Sequence, residues 1–300
     1  MLIEDLVKQL KPGRYVIAVS GGVDSVSLLD IISKQKDVEL IVAHLNHGMR
    51  DDSKLDQKLV GDLSKQYGLK YETKTLALGS NASEQLARDA RYKFLFSVMR
   101  DNDALAIITA HHSDDVIETS IFNLLRGTGR KGVTSLRSSE RLIRPFLNVS
   151  KDEIKRYATK HNLVWREDST NADLKYSRNQ IRDRLAKNDD QSKVDKLRSQ
   201  ISNLKLTNEL LDREIDDLLV SMTKDQKLDR LQFINLPHKL ALELMAHWLR
   251  KSAINSFDAK LLNTLVVAAK TYKHGSRFSI NKTAHLLVET KFLEIKTDQN

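Results

Sequence analysis

Ser20-Gly21-Gly22-Val23-Asp24-Ser25 lies between a strand pattern and a helix pattern, and that arrangement sets the architecture. An apolar run, Tyr15-Val16-Ile17-Ala18-Val19, precedes it. A helical pattern with Val26, Leu28, Leu29, Ile31 and Ile32 at its apolar positions follows. A strand, a short Gly-Ser loop and a helix form a device for holding phosphate. The first helical N–H groups have no intrahelical partner and point at the anion, and the helix dipole adds positive potential. Gly21 and Gly22 let the backbone turn sharply and approach a ligand closely. Ser20 and Ser25 add hydroxyl donors. Many Gly-Gly turns between strand and helix bind nothing, so the two serines and the acid carry the distinction. Asp24 is the odd member, because a carboxylate repels phosphate unless a cation lies between them. A Mg²⁺ bridge from Asp24 to phosphate resolves the conflict. No Gly-Lys-Ser/Thr follows and a third glycine is missing, which excludes a Walker A loop and a dinucleotide fingerprint.

Working outward, the first half of the chain alternates strand and helix. Val38–His44 reads as a second buried strand, Tyr71–Leu76 as a weaker one and Ala104–Ala110 as a strong one. Helical stretches near Ser53–Tyr67 and Ser83–Arg100 separate them. This alternation implies an α/β fold, a Rossmann-like parallel sheet with right-handed crossovers. Ligands in such sheets sit at the carboxyl ends of the strands. Polar clusters follow the apolar strands there: Ser20–Ser25, His44–Arg50 and His111–Asp115. The topology predicts their convergence on one crevice.

After Asn188 the pattern changes. Ser192–Thr223 reads as one long helix, with Leu197, Ile201, Leu204, Leu211, Ile215, Leu218 and Leu219 at near-heptad spacing. It is expected to connect two domains and offers a seam for a homodimer. Leu240–Arg250 and Phe257–Thr271 look helical, while Arg277–Ile280 and His285–Ile295 alternate like a hairpin or small sheet. The expected division is therefore a catalytic domain over 1–190, a helical linker over 191–223, and a smaller, mainly helical C-terminal domain over 224–300.

Composition narrows the class. In 300 residues Lys and Arg number 49 and Asp and Glu 40, a net charge of +9, so a polyanion is a plausible partner, nucleic acid first. Cysteine is absent, which excludes disulfides, zinc–thiolate sites and a thiol nucleophile within this chain. No apolar run is long enough to span a bilayer and the first residues do not read as a signal peptide, so a cytoplasmic setting without a membrane is expected.

Further clusters carry chemistry or its bland counterpart. In His111-His112-Ser113-Asp114-Asp115 the adjacent acids either cap a helix or hold Mg²⁺ or a substrate amine. The spacing of a histidine zinc site is missing. Arg88 and Arg91 lie one turn apart on a helix, able to clamp phosphate or simply to face solvent. Arg126-Gly127-Thr128-Gly129-Arg130-Lys131-Gly132 is a glycine-punctuated basic loop in which Gly127 is also a helix-terminating glycine. With Arg178, Arg182 and their neighbours it forms the candidate RNA-phosphate contacts.

Taken in order, these motifs carry a resemblance. The loop Ser20–Ser25 is followed by His44-Leu45-Asn46-His47-Gly48-Met49-Arg50, Ala87–Phe94, Ala110–Asp115 with Glu118-Thr119, Arg126–Gly129, Arg144-Pro145-Phe146, Glu167–Asn171 and Tyr176–Arg182. The series resembles the tRNA(Ile)-lysidine synthetases, a family of N-type ATP pyrophosphatases with a PP-loop, and covers roughly Val16 to Arg182. The resemblance implies a ligase. ATP adenylates C2 of the wobble cytidine in a CAU-anticodon tRNA(Ile), then the ε-amine of L-lysine attacks C2 and expels AMP, leaving lysidine. It also implies an ATP site of Ala18, Ser20, Gly21, Gly22, Val23, Asp24, Ser25 and His44. Asp24, Arg91 and Asp115 are implied as catalytic, with Mg²⁺ on Asp24 or Asp115 and the two roles exchangeable. Other PP-loop enzymes of the tRNA thiolase or NAD synthetase type share the loop. A non-catalytic nucleotide- or RNA-binding module would have no need of Asp24.

Overall fold

The computed structural model describes residues 3–7, 10–48, 52–79, 83–167, 180–181, 184–185 and 191–297. It divides into two units, Met1–Leu204 and Lys205–Asn300.

The first unit is built on a parallel sheet: β1 (Gly13–Ala18), β2 (Val38–Asn46), β3 (Lys70–Thr75), β4 (Ala106–Ile108) and β5 (Leu142–Ile143), in spatial order β3-β2-β1-β4-β5. Every pairing is parallel. The two-residue side-chain period of β1 explains the layers. Tyr15 and Ile17 face one way and pack with Leu40, Val42, Ala106 and Ile108 against α1 (Val23–Ser33), α2 (Ser53–Gln66) and α6 (Lys151–Lys160). Val16 faces the other way, with Ile41, Ala43 and Ile107, against Leu95, Val98 and Met99 of α3 (Glu84–Asp101). The strands are apolar on both faces because helices cover both. β5 is only two residues long and lacks a sequence signal of its own. It takes its place as the sheet edge beside β4, with Ile107 opposite Leu142.

The strand order places the site. The chain winds from β1 outward to β3, then returns to lay β4 on the other flank of β1. The carboxyl ends of β1 and β4 are thus the reversal point where such sheets open a crevice. The loop Val19–Gly22 leaves β1 there, and Thr109–His112 leaves β4 into α4 (Ser113–Leu125).

α1 and α6 run side by side, tied by a buried polar knot. Tyr157 Oη donates to Asp30 Oδ2 at 2.6 Å, Tyr67 Oη to Asp30 Oδ1 at 2.8 Å, and Lys34 Nζ to Asp30 Oδ2 at 2.7 Å. Burial alone would raise the Asp30 pKa, but the hydrogen bonds from Lys34, Tyr157 and Tyr67 overcome it and hold the carboxyl below its usual range.

A long helix, α7 (Gln191–Met222), runs through the boundary of the units. The second unit carries α8 (Arg230–Asn235), α9 (His238–Lys251), α10 (Ala259–Thr271) and an antiparallel sheet in order β6-β7-β10-β9-β8. Its strands are Thr223–Lys224, Lys227–Asp229, Ser276–Ser279, Ala284–Val288 and Phe292–Thr297, numbered β6 to β10. Phe233, Leu244, Met245, Leu265, Leu286 and Leu293 are among its fully enclosed side chains. Arg230 is buried there but satisfied, donating to the carbonyls of Ala269, Tyr272 and Glu289. That leaves it structural.

Candidate active site

The phosphate-type loop is braced by its own serines. Ser25 is buried; its Oγ accepts the Ser20 N–H at 3.1 Å and donates to Gly22 O at 3.0 Å. Ser20 Oγ lies 3.1 Å from Ser25 Oγ and accepts the Gly22 N–H at 3.4 Å, with Ser20 itself exposed. Ser25 therefore shapes the loop, while Ser20 is the hydroxyl a ligand can reach. Gly21 has φ +96°, a conformation that L side chains rarely adopt. Gly22 is the N-cap of α1, Val23 is buried as its first residue, and Asp24 stands in its first turn. Ala18 is the last residue of β1.

Arg166 straps this loop from outside. Its N–H donates to Gly21 O at 3.0 Å, and its guanidinium binds Asp56 Oδ1 at 2.7 Å and Asp52 Oδ2 at 3.1 Å, at the start of α2. Holding the Gly21 carbonyl outward turns the N–H of the same peptide, that of Gly22, the opposite way.

The other strand ends converge on the loop. His44, buried in β2, has Nδ1 2.8 Å from Val19 O. A carbonyl only accepts, so Nδ1 carries the proton and Nε2 is left an acceptor. Burial lowers the His44 pKa, against the opposing Val19 bond and Asp56. His112, buried at the start of α4, has Nε2 3.8 Å from Asp24 Oδ2 and 3.5 Å from Asp115 Oδ2. Asp24 and Asp115 thus flank one imidazole.

Asp115 has a local task as well: its Oδ2 accepts the His112 N–H at 2.9 Å, so His112 rather than Ser113 or Asp114 is the N-cap. Asp114 turns elsewhere, accepting from Lys151 N–H at 3.3 Å and from Arg198 at 3.0 Å.

An arginine group faces the third flank. Arg91, exposed on α3, has Nη2 3.4 Å from His47 Nε2. The arginine must donate, so His47 presents a bare Nε2, and its buried Nδ1 has no hydrogen-bond partner among the described residues. Burial, with Arg91 and His44 adding, pushes the His47 pKa down to about 4. Burial likewise pushes His111 down to about 4; Asp115 opposes this, while Arg144, Arg88 and Arg91 reinforce it. The Arg88 guanidinium lies 5.0 Å from the Tyr92 ring centroid, and the Tyr92 hydroxyl accepts from buried Arg144 at 3.4 Å. At neutral pH His44, His47 and His111 are uncharged acceptors and bases beside fixed cations. That environment suits an anionic reactant together with a proton to be moved.

The basic loop lies apart from this. Arg126 stacks 5.1 Å from the Phe122 ring, Gly127 has φ +70° just past the end of α4, and Arg130 and Lys131 sit in α5 (Arg130–Val133). Arg126 follows the last residue of α4, roughly 16 Å along the helix from Asp115, while α5 folds back on α4, with Ser120 Oγ donating to Val133 O and Asn123 Nδ2 to Gly132 O, each at 2.7 Å. Arg178 and Arg182 lie outside the described residues.

Sequence reasoning missed Lys151, whose Nζ donates to Asp24 Oδ1 at 2.7 Å and to Oδ2 at 2.5 Å. Ser150 and Glu153 form a capping box, a pattern legible in the sequence that sets a helix start and Lys151 as its first residue. Nothing in the sequence pairs that residue with one 127 positions earlier. Arg166 was missed for the same reason; His112 stood in the quoted His111–Asp115 cluster, but its approach to Asp24 was not foreseen.

Comparison with known proteins follows the same lines. A family model described as a PP-loop domain matches residues 2–189. A tRNA(Ile)-lysidine synthase of Rickettsia bellii (strain OSU 85-389) is 34% identical over 228 residues, 73% of this chain and 52% of that protein. One of Thermotoga maritima is 36% identical over 187 residues, 59% of this chain and 45% of that protein. One of Lactiplantibacillus plantarum is 31% identical over 306 residues, 96% of this chain and 68% of that protein. The chain spans about half the length of the first two. Among solved structures, the U34-tRNA thiolase NcsA from Methanococcus maripaludis with its [4Fe-4S] cluster superposes with a TM-score of 0.51 at 17% identity, covering 68% of this chain and 78% of that one; the likeness is one of fold. With a PP-loop model over most of its length and a match to a 31% identical relative over 96% of this chain and 68% of that protein, the chain belongs to the tRNA(Ile)-lysidine synthase family of PP-loop proteins.

Proposed function

We propose that this chain is an ATP-dependent ligase that adenylates C2 of the wobble cytidine of a CAU-anticodon tRNA(Ile) and then joins lysine to it, releasing pyrophosphate and AMP. The observation that carries the reading is the meeting of Asp24, His112 and Asp115 at the reversal point between β1 and β4. An amide-like carbonyl oxygen is a poor leaving group, and adenylation cures that. The loop N–H groups, with Arg91 at the rim, supply positive potential to departing pyrophosphate. The attacking ε-ammonium must lose a proton, and a carboxylate beside the neutral His111 can accept it; Asp115 is assigned that part.

The donor set also fits Mg²⁺. Asp24 already accommodates a cation, since the Lys151 ammonium contacts both its oxygens, and Asp115 offers a second hard carboxylate beside the same imidazole. Mg²⁺ is commonly held by one or two carboxylates plus substrate phosphates. Bound there, it would neutralise charge on the β- and γ-phosphates.

The tRNA is assigned to Arg126, Arg130, Lys131, Arg178 and Arg182, together with the second unit. The place of Arg126 just past the end of α4 far from Asp115 suits a contact along the anticodon arm beyond the reacting base. No helix among the described residues is long and apolar enough to cross a membrane. Thiolation of the kind that needs a cysteine-held cluster is disfavoured, because this chain has no cysteine.

The test is incubation with ATP, radiolabelled lysine and a CAU-anticodon tRNA transcript. Label in the tRNA and release of pyrophosphate are expected, and Asp24→Asn should abolish both while the fold survives. A folded protein that leaves the tRNA unlabelled defeats the lysidine reading.

A further inference from the structure

A carboxylate in the first turn of a phosphate-binding helix works against the loop that holds it. The dipole of α1 stabilises Asp24, but Asp24 cancels part of the potential that attracts phosphate. The structure answers this conflict with Lys151. Its ammonium contacts both Asp24 oxygens, at 2.7 and 2.5 Å, and side-chain exposures of 32% and 26% leave the pair within reach of a ligand.

The backbone of Lys151 is held rigidly. Its N–H donates to Asp114 at the start of α4, and Ser113 N–H donates to Val149 O beside it. Six residues further along each helix, Tyr157 meets Asp30. Two bonds at equal spacing, Lys151 to Asp24 and Tyr157 to Asp30, set α6 against α1 in register. The backbone is therefore fixed, and the flexible four-carbon stem is the part free to move.

We propose that Lys151 is a built-in counter-cation of the phosphate loop, neutralising Asp24 before nucleotide arrives and passing its ammonium to the β,γ-phosphates of ATP when a divalent cation takes over Asp24. The proposal rests on the phosphate-site reading and not on the identity of the nucleophile or the tRNA. Loss of Asp24's partner on its own would leave a net negative charge at the mouth of the loop. Loss of the phosphate contact would remove one charge-assisted hydrogen bond.

The experiment is calorimetric titration of the full chain with ATP and Mg²⁺, without tRNA or lysine, for wild type, Lys151→Met, Lys151→Gln and Lys151→Arg. Lys151→Met and Lys151→Gln are expected to weaken ATP binding by about tenfold or more, the scale of one such bond. Lys151→Arg should recover most of it. In a parallel melt with Mg²⁺ and no nucleotide, Lys151→Met should be stabilised more than wild type, because its Asp24 carboxylate lacks the ammonium. If either neutral variant folds and binds ATP as wild type does, Lys151 is only a structural ion pair and the proposal fails. If wild type itself binds no ATP, the phosphate-site reading falls instead. A sound ATP result with no lysine incorporation leaves Lys151's role intact and rejects only the substrate.

Discussion

Removing one oxygen from the α1–α6 knot tests whether that knot stabilises the first unit. In Tyr157→Phe the lost hydroxyl donates to Asp30 Oδ2 at 2.6 Å and accepts from Lys34 at 3.2 Å, and the ring is buried. Phe fills the same space without the hydroxyl, so the cavity term is small. Asp30 keeps Tyr67 and Lys34. The expected loss is that of one hydrogen bond to a charged group, about 1.5–3 kcal/mol. For a unit of this size that lowers the melting temperature by roughly 3–12 °C. The sign with pH follows from Asp30. Its native pKa is below the unfolded value, so its stabilisation is full above the unfolded value and is lost as pH falls through the native one. The gap between wild type and variant should therefore be widest at neutral pH and narrow at pH 3.5. The assay is urea denaturation followed by Trp165 fluorescence in a Trp248→Phe background, since the chain has two tryptophans, one in each unit. A gap under about 0.5 kcal/mol at pH 7, or one that does not change with acid, means that the knot does not stabilise the unit through Asp30.

Further expectations follow from other parts of the site. Gly48 has φ +64° and a Cβ there would lie 2.2 Å from Leu76 O, so Gly48→Ala should cost more than about 2 kcal/mol and expose the His47 loop to faster amide exchange; near-wild-type stability would contradict the geometry. His47 and His111 have native pKa values near 4, so the unfolded chain takes up their protons first as pH falls from about 6.5, and stability should drop over that window. Urea midpoints at pH 7, 5.5 and 4.5 check this, with a shallower drop in His47→Gln. If Arg126, Arg130 and Lys131 contact RNA phosphates, replacing all three with alanine should reduce the slope of log affinity for tRNA against log salt by about 2. An unchanged slope would remove the loop from the interface.

Much of this was legible in sequence because it is local. Tyr15–Val19 and Ala104–Ala110 announced buried strands by apolar composition, and the Gly21-Gly22 turn announced a helix N-terminus. The order of strands and helices implied a parallel sheet with its ligand at the carboxyl ends. The loop, its acid, and the polar clusters after β2 and β4 were therefore in view from the residues alone. Tertiary structure decided how the charges are shared. Asp115 turned out to cap its own helix while facing His112. Ser25 proved to be bound within the loop rather than open to ligand. Lys151 and Arg166 reach Asp24 and Gly21 across more than a hundred residues of chain. Sequence specifies such partners only through the packing of whole helices, since a side-chain contact of this kind leaves no periodicity or spacing behind. The chemistry of the Ser20–Ser25 loop was thus determined by its residue types, and the charge that balances Asp24 by the way α6 lies along α1.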